Sequence, residues 1–160
     1  MELYPRVRYV DIGDEPMIDL EPIEGYANLP LMSLEMAVES ISSMIDILPS
    51  VRIAKQTCQH IGGDLTLDES AAIRLYTMNG SLFTRLNDVL RSKVRAELLS
   101  PWLPYLKLLL TALYKLPAVK KTVWRGTSLD LSTKYKPGDT CAWRGFSSCT
   151  ESVAVADFFL

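Results

Sequence analysis

The sequence has little of the residue types on which compact catalytic or disulfide-linked sites depend. Histidine occurs once, as His60, and cysteine three times, as Cys58, Cys141 and Cys149. His60 is therefore the sole candidate for a histidine-based triad, and its spacing from Cys58 matches no zinc set with further ligands. We expect a structural histidine and no metal site. We also expect buried thiols, which fit a reducing compartment.

Long apolar runs are also absent. The longest apolar stretch, residues 102–116, contains Pro104, Lys107 and Lys115, and it falls short of the roughly 20 apolar residues that a membrane span requires. The first 16 residues contain no apolar segment typical of a signal peptide. We expect no membrane contact, and an intracellular location is favoured, with the compartment left open.

Charge is balanced overall but unevenly distributed. The formal net charge is −2, yet residues 1–84 hold 5 Lys/Arg against 13 Asp/Glu, whereas residues 85–160 hold 12 against 6. The basic residues are scattered, which favours a solvated surface over a ligand patch. Because no polybasic run occurs, we expect no nucleic-acid partner.

Three regions follow one another along the chain. Residues 1–30 are acidic and rich in proline, which predicts an extended lead. Residues 31–118 show helical periodicity. Residues 119–160 alternate β-prone runs with turn residues, which predicts strands at 119–127 and 140–149 and a last helix after Ser152.

Five helices are predicted in the middle region. The first begins after an N-cap at Ser33 and is ended by Pro49. Thr66 and Glu69 have the spacing of a capping box, which starts the third helix. The second, fourth and fifth are predicted at residues 51–61, 82–94 and 103–116.

Two short segments in the last region carry chemistry. Arg125 and Gly126 end the sequence VWRG (123–126), and a guanidinium beside backbone that lacks a Cβ suits a pyrophosphate. From Arg125 alone, an exposed strand arginine is the favoured reading. The segment FSSCT (146–150) adds hydroxyl groups, whose commoner role is helix capping.

Together these segments, in this order behind a helical region, resemble the R-S-E class of arginine-directed mono-ADP-ribosyltransferases. The resemblance covers about residues 30–160 and includes LTLDESAAIRLYT (65–77), LND-x-LR (86–91) and PWLPYLKLLLTALYKLP (101–117). It implies an α+β ADP-ribosyltransferase fold, in which residues 31–118 form the helical region. Residues 119–160 would then begin a two-sheet NAD-binding core that is C-terminally incomplete.

The resemblance also implies roles for individual residues. Arg125 would hold the NAD phosphates and ribose, and Gly126 would bond the nicotinamide amide. Ser148 matches the first serine of the family's Ser-Thr-Ser motif, so Arg125 and Ser148 are the catalytic candidates. The implied cofactor-binding set is Arg125, Gly126, Thr127, Ser148 and Thr150.

The sequence contains the Trp-Arg-Gly triplet twice, and it departs from the family's serine motif at one position. Trp124-Arg125-Gly126 is echoed at 143–145, and we prefer Arg125 as the anchor because Arg144 lies only four residues before Ser148. Arg144 is then expected to be a surface residue. Cys149 takes the central position of the serine motif, and its side chain is expected to face away from the site.

The implied reaction moves ADP-ribose from NAD to an arginine on a protein acceptor and releases nicotinamide, without a metal; NADP is left open as a co-substrate. The family uses an E-x-E pair after the serine motif, and no such pair occurs in this sequence. Glu151 is expected to be a helix-capping acid instead. We therefore expect these 160 residues to be inactive. The alternative is a non-catalytic helical interaction protein that retains part of the fold.

Overall fold

The computed structural model describes residues 21–58, 64–78, 80–126 and 130–157, so the predictions for His60 and for the first 20 residues lie outside the described residues. A 3₁₀ turn at Ser100–Trp102 precedes the longest helix. The helices are α1 (Leu34–Ser42), α2 (Leu48–Thr57), α3 (Leu67–Thr77), α4 (Ser81–Arg91), α5 (Arg95–Leu98), α6 (Leu103–Lys115) and α7 (Val153–Asp157).

The core lies around α6. This helix packs against α1 and α3, and α3 also packs against α2 and α4. Tyr105 is fully buried, and its hydroxyl donates a hydrogen bond of 3.0 Å to the carbonyl of Ala72 on α3. A buried phenol needs such an acceptor. The fully buried large apolar side chains are Leu34, Ile41, Leu86, Leu90, Leu106 and Leu109.

The predicted helix starts are confirmed where capping residues are present. The Ser33 hydroxyl accepts from the Met36 amide at 3.4 Å at the start of α1. At α3, Thr66 and Glu69 form the complete capping box. Pro104 lies in the first turn of α6, where its missing N–H is not needed.

The prediction that Pro49 ends the first helix is wrong. Helix α1 ends at Ser42, and Pro49 lies in the first turn of α2. Proline fits a first turn because those amides have no partner within the helix. Ile45 and Ile47 are buried from the connecting turn, so their apolar spacing reflects burial and not one continuous helix.

An ion network ties the first three helices together. The Lys55 ammonium on α2 lies 2.7 Å from the Glu35 carboxylate of α1 and 2.8 Å from that of Asp68 on α3. Asp68 also accepts from the Leu34 amide at 2.9 Å. Its carboxylate therefore caps α1 from the first turn of α3, where helix dipoles favour negative charge.

The predicted α+β ADP-ribosyltransferase fold with two NAD-binding sheets is wrong for the described residues, which contain no strand. Residues 119–126 and 140–150 meet at an isolated antiparallel bridge between Trp124 and Thr150. Two extended segments without a buried apolar face are at most marginally stable as a sheet. Val119 and Val123 remain exposed, so they lack the half-buried packing that β propensity reflects.

The described part of the lead lies against α6. Lys107 donates from its ammonium to the Ala27 carbonyl at 2.9 Å, and Ile23 packs on the core. Gly25 adopts φ +87°, and a Cβ there would meet Leu103 Cδ1 at 3.3 Å. Within the described ranges, no helix combines the length and apolarity needed to cross a membrane.

Glu69 joins the start of α3 to the end of α6. Its carboxylate is 2% exposed and accepts from the Thr66 amide and from the Lys115 ammonium, each at 2.8 Å. Burial acts to raise the pKa of Glu69. The hydrogen bonds from Lys115 and Thr66 outweigh burial, so this pKa lies below its ordinary value of 4.5.

Replacing the cation tests this link. Lys115→Met leaves the buried Glu69 carboxylate without its ammonium partner and should lower the free energy of unfolding at neutral pH by about 1–2 kcal/mol. The loss is modest because solvent partly screens the exposed lysine. When folding lowers the pKa of a carboxyl group, the ionised carboxylate stabilises the folded protein at pH values above the unfolded-state pKa. This stabilisation is lost as the pH falls through the folded-state pKa. The loss should therefore shrink below pH of about 4.5.

Urea unfolding at several pH values measures this difference. Lys120→Met removes an exposed lysine nearby and is the matched control, with an expected change under about 0.5 kcal/mol. An equal loss for Lys115→Met at neutral and acidic pH would show that the ion pair does not contribute.

Candidate functional site

The two chemistry-bearing segments meet at the bridge between Trp124 and Thr150. The Trp124 amide donates to the Thr150 carbonyl at 2.6 Å, and the Thr150 amide donates back to the Trp124 carbonyl at 2.9 Å. This reciprocal pair is the hydrogen-bonded pair of an antiparallel ladder. It fixes the register between residues 123–126 and the serine segment.

Arg125 lies directly beside this bridge. Its Nη1 donates to the backbone carbonyl of Ser148 at 3.3 Å. Arg125 and the adjacent Gly126 are partly buried, whereas Ser148 is exposed. The structure thus brings together Arg125, Gly126, Ser148 and Thr150; Thr127 lies outside the described residues.

Asn87 holds the serine segment on the helical region. It is 1% exposed on α4, and its Oδ1 accepts from the Phe146 amide at 2.9 Å. Its Nδ2 donates to the Tyr76 hydroxyl at 2.9 Å and to the Phe146 carbonyl at 3.4 Å. One amide side chain therefore binds both backbone groups of Phe146, as a neighbouring strand would.

Packing reinforces this attachment. The rings of Tyr76 and Phe146 make an edge-to-face contact with centroids 5.3 Å apart, a favoured aromatic geometry. Arg91, also on α4, lies against Gly145, where a Cβ would stand 2.5 Å from the Arg91 Nη2. Only a residue without a Cβ fits at position 145 unless the guanidinium moves.

The remaining residues of the segment have separate positions. The Glu151 carboxylate forms an exposed ion pair with Lys121 at 2.8 Å. Cys149 is exposed, and its Sγ lies 3.9 Å from the Ser147 carbonyl. Cys141 is exposed as well, so the expected burial of the thiols is wrong for both residues. The Ser152 hydroxyl accepts from the Val155 amide at 3.4 Å, which confirms the predicted cap of the last helix. Arg144 is partly buried and not a plain surface residue.

The arrangement offers a guanidinium, a bare glycine backbone and an exposed hydroxyl within one small region. Such groups bind phosphate oxygens and ribose hydroxyls. In the part of the chain that the structure describes, no group of three or more His, Cys, Asp or Glu side chains is placed to hold a metal.

Sequence reasoning missed the residues that hold the site in place. Asn87 and Arg91 lie within residues 86–91, for which the sequence predicts a helix but no part in a site. A polar residue inside an apolar helical repeat is the sequence feature that indicates such a buried, hydrogen-bonded side chain. Leu86 and Leu90 flank Asn87 and are buried, so Asn87 is expected to be buried with a partner.

The chain was compared with models of known protein families, with curated proteins and with solved structures, and none of them matches it.

Removing the Asn87 amide should release the serine segment. Asn87→Ala leaves the backbone groups of Phe146 without this partner and should destabilise the chain by about 2 kcal/mol. Because the attachment is local, residues 140–150 should become cleavable by protease before the helices unfold. Limited proteolysis with mass spectrometry measures the order of cleavage.

Asp88→Ala, at the exposed neighbouring position, is the control and should leave the cleavage pattern unchanged. If Asn87→Ala cleaves no faster than Asp88→Ala, the side chain does not hold this segment.

Proposed function

We propose that this chain binds NAD through Arg125, Gly126 and Ser148, as a relative of arginine-directed mono-ADP-ribosyltransferases. The observation that supports the proposal most is the contact between Arg125 and Ser148. These residues lie 23 positions apart in the sequence, and the resemblance assigns both of them to one nucleotide site.

The proposed chemistry follows from the groups present. The planar guanidinium of Arg125 would bind the pyrophosphate. Because Gly126 lacks a Cβ, the nicotinamide amide could approach its backbone closely. The Ser148 hydroxyl would orient the nicotinamide ribose. In the full reaction, ADP-ribose passes from NAD to an arginine of a protein acceptor as nicotinamide leaves.

Because the described residues form helices and no sheet, the proposal concerns only the residues that would contact NAD and not the fold of the ADP-ribosyltransferases. The nucleotide would lie on two extended segments. Asn87 on α4 and Tyr76 on α3 hold the serine segment at Phe146, and the bridge between Trp124 and Thr150 joins residues 123–126 to it. Trp124 and Trp143 are each more than two-fifths exposed, and indole faces beside an arginine suit the flat rings of a dinucleotide. Both aromatic residues flank the proposed site in sequence.

Binding of NAD is the first test. Titration calorimetry should detect NAD binding to the chain, and Arg125→Ala should weaken it by roughly 10- to 100-fold, the loss typical of a charged hydrogen bond. Lys136→Ala removes an equal charge from an exposed position and should bind as the parent chain does. Equal affinity for both variants would contradict the proposed role of Arg125.

Turnover is the second test. With labelled NAD and agmatine as the arginine analogue, residues 1–160 should release no nicotinamide above the spontaneous rate, since no E-x-E pair is present to stabilise the developing positive charge. Release would show that another carboxylate acts. Glu151→Gln would then show whether Glu151, the carboxylate closest in sequence to Ser148, is the one that acts.

One observation favours a second candidate, a non-catalytic helical interaction protein. The core is formed by α1–α4, α6 and the turns between them, with Phe146 packed at its edge, so the helical region does not depend on a sheet. If Arg125→Ala and Ser148→Ala leave the protein's biological effect unchanged, and NAD does not bind, this candidate replaces the first.

A further inference from the structure

The segment that enters the bridge between Trp124 and Thr150 presents an uncovered edge. All residues from 117 to 124 are exposed, and Val119 and Val123 are 68% and 51% exposed. In the described part of the chain, the backbone of residues 118–123 forms no hydrogen bond. We refer to residues 118–124 as the open edge. Unpaired backbone groups on a β-prone segment are a template for another strand.

The bridge determines which backbone groups face outward. Trp124 exchanges both of its hydrogen bonds with Thr150. In an antiparallel ladder such a residue alternates with residues whose N–H and C=O point to the opposite side. Val119, Lys121 and Val123 therefore direct their backbone groups away from the serine segment, towards the open side.

The ion pair between Lys121 and Glu151 is consistent with this register. Because Trp124 opposes Thr150, Val123 opposes Glu151, and Lys121 is the diagonal neighbour of Glu151 on the same face. The two charged groups lie 2.8 Å apart. Edge lysines normally discourage pairing with another chain, but the charge of Lys121 is already opposed within its own chain.

We propose that the open edge pairs antiparallel with the open edge of a second copy of this chain, with Lys121 on the two-fold axis. The segment is self-complementary in this register, because Val119 of each copy opposes Val123 of the other. The same alignment places Lys120 opposite Thr122, so no other like charges face each other directly. A two-fold contact of this kind uses one patch on both subunits.

The pairing would satisfy groups that are now in contact with water. Residues 119, 121 and 123 would exchange backbone hydrogen bonds with the second copy, and the valine pairs would cover each other. One strand pair buries less than the roughly 1,200 Å² of a standard interface. We therefore expect a weak dimer, with a Kd on the order of 10–100 μM. The proposal does not rest on the assignment of NAD.

Sedimentation velocity of the 160-residue chain tests the proposal, at concentrations from about 1 to about 500 μM, on both sides of the expected Kd. Val123→Lys should weaken the dimer roughly 10-fold, because symmetry repeats the lost valine contact in two pairs. Val153→Lys is the matched control. It changes a valine that is 48% exposed on α7, outside the open edge, and should leave the Kd within about twofold of the parent value.

A charge exchange tests the register itself. Val119→Glu alone should weaken the dimer about as much as Val123→Lys does. When both substitutions are present in one chain, each acidic side chain faces a basic one of the other copy, and opposite charges in a cross-strand pair are favourable. Association should then return to within about threefold of the parent value. Circular dichroism verifies that each variant retains its helices.

A concentration-dependent dimer that each single substitution weakens, and that the double variant restores, supports the proposal. A monomer at every concentration overturns it, and so does a dimer that Val123→Lys weakens no more than Val153→Lys. A double variant as weak as the single ones also overturns it. Amide exchange adds one outcome: protection of residues 119, 121 and 123 that is independent of concentration would show that the same chain covers the edge, which overturns pairing with a second copy.

Discussion

The pairing of the Asn87 amide with the backbone of Phe146 is the interaction on which the candidate site depends. Residues 130–150 have little core of their own, and their β-prone side chains are largely exposed. Asn87 supplies a donor and an acceptor from α4 across 59 residues of sequence, and Tyr76 adds a ring contact. Arg125 meets Ser148 on a segment that is already attached to the helical region.

Local signals predicted the helices well because local chemistry determines where they start. The capping box at Thr66 and the hydroxyl of Ser33 satisfy amides that every helix leaves unpaired. Pro49 was misread because proline is compatible with both a helix end and a first turn. The sheet was predicted from β propensity and family resemblance, but pairing needs partner strands, which propensity alone does not supply.

The sequence indicates the chemical groups of the candidate site, but it does not indicate the residues that hold these groups in place. Arg125 and Ser148 stand in short segments of recognisable composition, and the structure brings them into contact. Asn87 and Arg91 contact Phe146 and Gly145, which are distant in sequence. The helical repeat indicates that Asn87 is buried, but it does not indicate which residue Asn87 binds. The scattered basic residues of positions 85–160 were expected to lie on a solvated surface. The structure instead buries Arg91 and Arg95, so this expectation is wrong for those two residues.

The helical region holds the serine segment at Phe146, and the bridge between Trp124 and Thr150 joins residues 123–126 to that segment. Amide hydrogen exchange, followed by NMR, measures this directly, because the Phe146 amide donates to Asn87 Oδ1 at 2.9 Å. We expect this amide to exchange at least roughly 10-fold slower than the intrinsic rate for its sequence. Exchange at the intrinsic rate would contradict the claim, since an amide held by Asn87 cannot exchange without opening.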